Sequence, residues 1–226
     1  MSSSTGTVKQ GGKPNLVDLV FTIDTTGSMS DKIDALLRTV SQFVKEAESF
    51  DLDMQFALIS FGDISIQGGG DRIDVVVPLT KDVGRMQTGL AEIPRNNGFG
   101  NEGETPLEAV AEALQLKYRE HAVKVLVLIT DEPALEYRYR RNEMIKTLKT
   151  KEFLVFVLAI DTPYYRAMAK ENGGVWKQIS ASTDLSELLN MFRDLAKKVS
   201  QVAKAVHQIG GGSVSKYLQL KPPDGK

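Results

Sequence analysis

The 226-residue chain contains no cysteine. It therefore forms no disulfide, has no thiol nucleophile and cannot build a thiolate zinc site. That composition fits a protein of the cytoplasm. Long apolar runs are missing too: the longest reach about 8 residues, where a membrane span needs roughly 20. The segment Met1 to Lys13 is polar and rich in Gly and Ser, without the apolar centre of a secretory signal. Charge of one sign is not in excess, since 28 Lys and Arg face 29 Asp and Glu for a net charge of −1. A nucleic-acid or anionic-membrane partner needs a basic surface, so neither is expected. Histidine is scarce, with only His121 and His207. His121 precedes Asp131 by roughly 33 Å along an extended strand, too far to join it in a catalytic triad. No Gly-x-Ser-x-Gly elbow is present either.

What is present reads as one globular unit, with 42% hydrophobic and 25% charged residues. Residues 1–14 and 209–226 are expected as flexible tails. The second is marked by Gly210-Gly211-Gly212 and a Pro-Pro-Asp-Gly-Lys ending. Between them, β-branched runs alternate with helical spacing. Strands are expected at Val17–Ile23, Met54–Phe61, Ile73–Val77, Val123–Ile129, Phe153–Ile160 and Val175–Ile179. Helices are expected around Ile33–Ala47, Leu107–Leu114, Met144–Leu148, 163–172 and Leu185–Val206. Strands that are nearly all apolar, alternating with amphipathic helices, make a parallel sheet covered on both faces. The short Gly-rich connection after Phe61 permits an antiparallel pairing of the second and third strands. Ligands of such sheets bind beyond the carboxyl ends of the strands, where strand order reverses.

Two strands end there in carboxylates. Asp24, Thr26 and Ser28 are spaced by two, so a tight loop can turn three oxygens inward, with Gly27 supplying backbone freedom. Asp131 follows the fourth strand. If the first and fourth strands are neighbours, the two carboxylates stand side by side and repel, a penalty that a divalent cation removes. Thr105 precedes Pro106, which suits a first helical turn and leaves a free hydroxyl near the N-cap. Hard oxygen donors of this kind suit Mg²⁺, Mn²⁺ or Ca²⁺. The structural alternative is a polar turn and an N-cap with no ligand at all.

The pattern Asp24-x-Thr26-x-Ser28, Thr105 in a Thr-Pro-Leu context, and Asp131 after an apolar strand resembles the metal-ion-dependent adhesion site of von Willebrand factor type A domains. The DTTGSM loop is most similar to the intracellular bacterial branch. The resemblance covers residues 15–208. It implies a Rossmann-like, doubly wound α/β fold. The sheet is six-stranded and mostly parallel, with one antiparallel edge strand and helices on both faces. It further implies that Thr26, Ser28 and Thr105 ligate through hydroxyls, with Asp24 and Asp131 direct or through water. A partner's Glu or Asp would take the open position. The middle loop residue is commonly Ser in the family, and Thr26 adds a methyl there. An assembly role beside an AAA-type ATPase or a stress-response complex follows by analogy. Two ligating carboxylates against a divalent ion leave it electrophilic, so the expected activity is binding, not catalysis. Asp63, Glu104, Glu132, Tyr137 and Arg138 are candidates for a partner-binding rim. The competing readings are a metal-dependent phosphohydrolase or phosphotransferase, and a scaffold whose metal site is vestigial. Against the first, Thr26 stands where a second acid would be needed.

Overall fold

The computed structural model describes residues 16–29, 32–34, 38–39, 43, 52–96, 103–179 and 185–220. The strands are β1 (Leu16–Asp24), β2 (Asp53–Phe61), β3 (Asp74–Thr80), β4 (Val123–Thr130), β5 (Phe153–Ala159) and β6 (Trp176–Gln178). They form one sheet in the order β3-β2-β1-β4-β5-β6. Only β3 runs antiparallel, against β2; all other pairs are parallel. β1 and β4 are neighbours, with Ile23 opposite Ile129. The chain steps outward from β1 to β2 on one side and from β4 to β5 on the other, so the strand order reverses between β1 and β4. A crevice opens at such a reversal, beyond the carboxyl ends of both strands.

Side-chain alternation splits the core into two layers. Leu19, Phe21, Leu58, Val125, Val127 and Phe156 face one side, and Val20, Ile59, Leu126, Leu128 and Val155 face the other. Helices α1 (Val83–Ala91), α2 (Pro106–Ala113), α3 (Arg141–Thr150), α4 (Pro163–Glu171), α5 (Leu185–Gly210) and α6 (Val214–Leu220) accompany the sheet. α2, α3 and α4 cover the second layer through Leu107, Val110, Met144, Leu148, Tyr165 and Met168. The predicted stripe of α5 reaches the first layer through Leu195, Val199 and Val206. Residues 32–34, 38–39 and 43 are helical, and Ile33 and Phe43 are buried in that layer. Leu36, Leu37, Val40, Val44 and Ala47 of the predicted helix lie outside the described residues.

One expectation needs correction, and one helix was not expected. The segment 209–226 is not a tail throughout: α6 follows a turn at Gly211 and Gly212, both at positive φ, and buries Val214 and Tyr217 against the core. Val214 and Tyr217, with Leu218 partly buried beside them, dock the short helix once the preceding glycines reverse the chain. α1 was not anticipated, because Gly84 and Gly89 weaken its helical signal. Gly89 is there for contact: a Cβ would meet Val77 Cγ2 at 2.2 Å. The expected tail at 1–14 lies outside the described residues, as do 221–226.

Candidate metal centre

Asp24 is the last residue of β1 and fully buried. Its Oδ1 accepts from the Thr26 N–H at 3.0 Å and from the Thr26 hydroxyl at 2.6 Å. Its Oδ2 accepts from the Thr130 hydroxyl at 2.7 Å. Parallel pairing of β1 with β4 creates this last bond, since it sets the ends of the two strands abreast. Ser28, in a short 3₁₀ turn over Gly27–Met29, donates to Asp131 Oδ1 at 2.8 Å. The Thr26 and Ser28 hydroxyl oxygens are 3.4 Å apart. Asp24, Thr26, Ser28 and Asp131 thus form one continuous cluster of hydrogen-bonded oxygens at the strand-order reversal.

Lys32 was missed by sequence reasoning and sits inside this cluster. Its ammonium donates to Asp131 Oδ2 at 2.7 Å and to the Ser28 carbonyl at 3.0 Å. The side chain is only 5% exposed. The available signal was its spacing: one helical turn beyond Ser28, a long cation reaches back across the loop.

Thr105 is the N-cap residue of α2, yet its hydroxyl does not cap the helix. It donates to the Gly62 carbonyl at 2.6 Å and accepts from the Ile64 N–H at 3.2 Å. The structure therefore ties Thr105 to the loop after β2. That loop is joined to the first one through Thr25, whose N–H and hydroxyl both donate to the Phe61 carbonyl. Asn96, also missed, donates from its backbone to the Thr25 carbonyl and from its side-chain amide to the Thr25 hydroxyl at 3.0 Å. Gly62 allows this closeness: a Cβ there would meet Asn96 Cβ at 2.6 Å. Gly27 does not play the part expected of it. Its φ is not among the positive ones, and a Cβ would meet nothing within 4 Å.

The expected rim divides. Tyr137, 47% exposed, and Arg138 project into solvent, with the Arg138 guanidinium over the Tyr137 ring. Glu132 is half-buried. Asp63 and Glu104 are buried, 2% and 4% exposed, and so offer no docking surface. The Asp63 carboxylate accepts from the Ser65 N–H at 2.8 Å and shapes its own loop. Glu104 pairs by backbone with Pro133 and Leu135, and its Oε2 is buried without a hydrogen-bond partner.

Burial pushes the Glu104 carboxyl up to about 9, with Asp24, Asp63, Asp71 and Glu132 adding repulsion. Burial also raises Asp24 to about 6, against the hydrogen bonds from Thr26 and Thr130, while Asp131 raises it further. A carboxyl that keeps its proton longer when folded costs stability as pH rises from its unfolded to its folded pKa. The window is 3.8 to about 6 for Asp24 and 4.5 to about 9 for Glu104. In chelator, the unfolding midpoint should fall more between pH 5 and pH 9 for the wild type than for Glu104→Gln. Thermal melts at the two pH values check this; parallel losses would show that Glu104 ionises freely.

The oxygens present fit a hard divalent cation. Two carboxylates and two hydroxyls are joined there by hydrogen bonds. Among the described residues no group of three or more His, Asp or Glu is placed to hold a metal, so a cation here would depend on the hydroxyls. The model for the von Willebrand factor type A domain matches residues 18–205. The chain belongs to that family. Among solved structures, the crystal structure of the SpRpn10 VWA domain is similar to this VWA domain, with a TM-score of 0.60 and 17% identity. The match covers 77% of this chain and 94% of that one. At that identity the likeness shows the fold. No curated protein matches this VWA domain. None of its described helices is long and apolar enough to cross a membrane.

Proposed function

We propose that this VWA domain is a non-catalytic protein-interaction module. In this reading Asp24, Thr26, Ser28 and Asp131 hold a divalent cation, Mg²⁺ first, with Mn²⁺ or Ca²⁺ as substitutes. The supporting observation is the joined cluster of these four side chains at the strand-order reversal. Thr105 would join them by giving up its bonds to the β2 loop. When bound, the cation would supply an electrophilic position for a partner's Glu or Asp. The chain's own residues do the rest. Thr130 and the Thr26 N–H fix the Asp24 carboxylate, and Asn96 pins the loop through Thr25. Tyr137 and Arg138 are the exposed side chains that would meet a partner. The position two residues after Asp24, where phosphoryl transfer would need a second acid, holds Thr26, which favours binding over catalysis.

Thermal unfolding with Mg²⁺, Mn²⁺, Ca²⁺ or chelator tests the reading. At a metal concentration 100 times Kd the wild type should gain about 2.7 kcal/mol, and Asp24→Ala should gain nothing. A wild-type melt that ignores all three metals would overturn it. One observation favours a second reading, a scaffold whose site needs no metal: Lys32 already neutralises Asp131. In that case Asp24→Ala would leave capture of an acidic partner peptide unchanged.

A further inference from the structure

The ion pair between Lys32 and Asp131 bears on how the proposed metal site would work, and its role rests on that proposed function. We propose that Lys32 is a tethered counter-cation: it neutralises Asp131 in the metal-free protein and must leave when a divalent ion is taken, so it sets the metal affinity of the site.

The geometry carries this. Each Asp131 oxygen has a donor, Ser28 Oγ on Oδ1 at 2.8 Å and Lys32 Nζ on Oδ2 at 2.7 Å. The Ser28 residue is gripped twice, since its carbonyl takes the same ammonium at 3.0 Å. The ammonium is therefore bonded to the same two residues from which the cation would draw a carboxylate and a hydroxyl. A divalent ion and an ammonium within a few ångströms of each other repel strongly in a site with little water. Joint occupation of Asp131 carries that repulsion, and departure of the ammonium relieves it. Charge alone then dictates two outcomes. Without metal, the two carboxylates and one ammonium sum to −1 rather than −2, which steadies the empty loop. With metal, the ammonium releases Asp131 Oδ2 and the Ser28 carbonyl and becomes accessible to solvent.

Titration calorimetry of Mg²⁺ and Mn²⁺ into chelator-stripped wild type, Lys32→Met and Asp24→Ala tests the proposal. Lys32→Met should bind metal at least about tenfold more tightly than wild type. Binding by Lys32→Met alone would overturn the proposed metal site of the wild type and, with it, the departure of Lys32 on metal uptake. Equal affinity in the two proteins would overturn the counter-cation and leave the metal site standing. No binding by either would overturn both. If Lys32→Met fails to fold, the wild type answers by itself. Acylation of Lys32 by an amine-reactive ester, followed by peptide mass spectrometry, should be slow in chelator and several-fold faster with Mn²⁺. An unchanged rate would show that Lys32 stays where it is and would overturn the proposal.

Discussion

Arg119→Met should cost about 3 kcal/mol of unfolding free energy, because it strands a buried carboxylate. Asp18 lies in β1 with no exposure at all. Its oxygens accept from the Arg119 N–H at 2.6 Å and from Arg119 Nε at 2.7 Å. The same guanidinium donates to Asp53 Oδ1 at 2.7 Å and to the Val17 and Asp53 carbonyls. One side chain thus binds the starting ends of β1 and β2 together. The Met variant keeps the backbone N–H bond to Asp18 but loses every guanidinium bond, so buried Asp18 loses its counter-charge, whereas replacing both partners removes that imbalance. Urea unfolding should show the large loss for Arg119→Met and a combined loss for Asp18→Asn with Arg119→Met well below the sum of the two single losses. A single-variant loss under about 1 kcal/mol would place this pair with ordinary surface ion pairs.

Gly174→Ala should be comparably damaging, at about 3 kcal/mol, the upper part of the range for overpacking. Gly174 lies between α4 and β6, and a Cβ there would come within 1.9 Å of the Val155 carbonyl oxygen and 2.6 Å of its carbon. Both are backbone atoms of β5, so no rotamer change relieves the clash. The chain here is laced to β5 by Val155 N–H to Asn172 and Val157 N–H to Val175. Adding one methyl should therefore peel β6 from the sheet. Gly27→Ala is the contrast, with open space around it, and should shift stability by no more than about 0.5 kcal/mol. Melting both variants beside the wild type checks the pair. Similar midpoints for the two would refute the clash.

The sheet was legible in the sequence because its strands carry a strong, simple signal. Runs such as VKVLVLI and FLVFVLA are buried on both faces, and that demands apolar residues without a break. The pairing of Asp24 with Asp131 was legible for the same reason: each carboxylate punctuates such a run. What escaped was decided by contacts across distance. Lys32 reads locally as a solvated helix residue, and only the fold turns its ammonium onto Asp131. Thr105 was readable as an N-cap position, but not that its hydroxyl would bond to Gly62 in another loop. The rim failed at Asp63 and Glu104 because acids flanking a site are expected outside it, and here both are buried. Glycine punctuation misled at 210–212, where it marks a tight reversal rather than the end of order.

The first strand begins, and the last long helix ends, at the base of the sheet. Leu16 opens β1 there, and its carbonyl meets the His207 ring at 3.1 Å; Gly212 lies beside His121, at the foot of β4. Asp24 and Asp131 sit at the opposite rim. Leu16 itself therefore stands at the end of the sheet remote from the oxygen cluster. A tether at Leu16 would thus leave the face that carries the oxygen cluster uncovered.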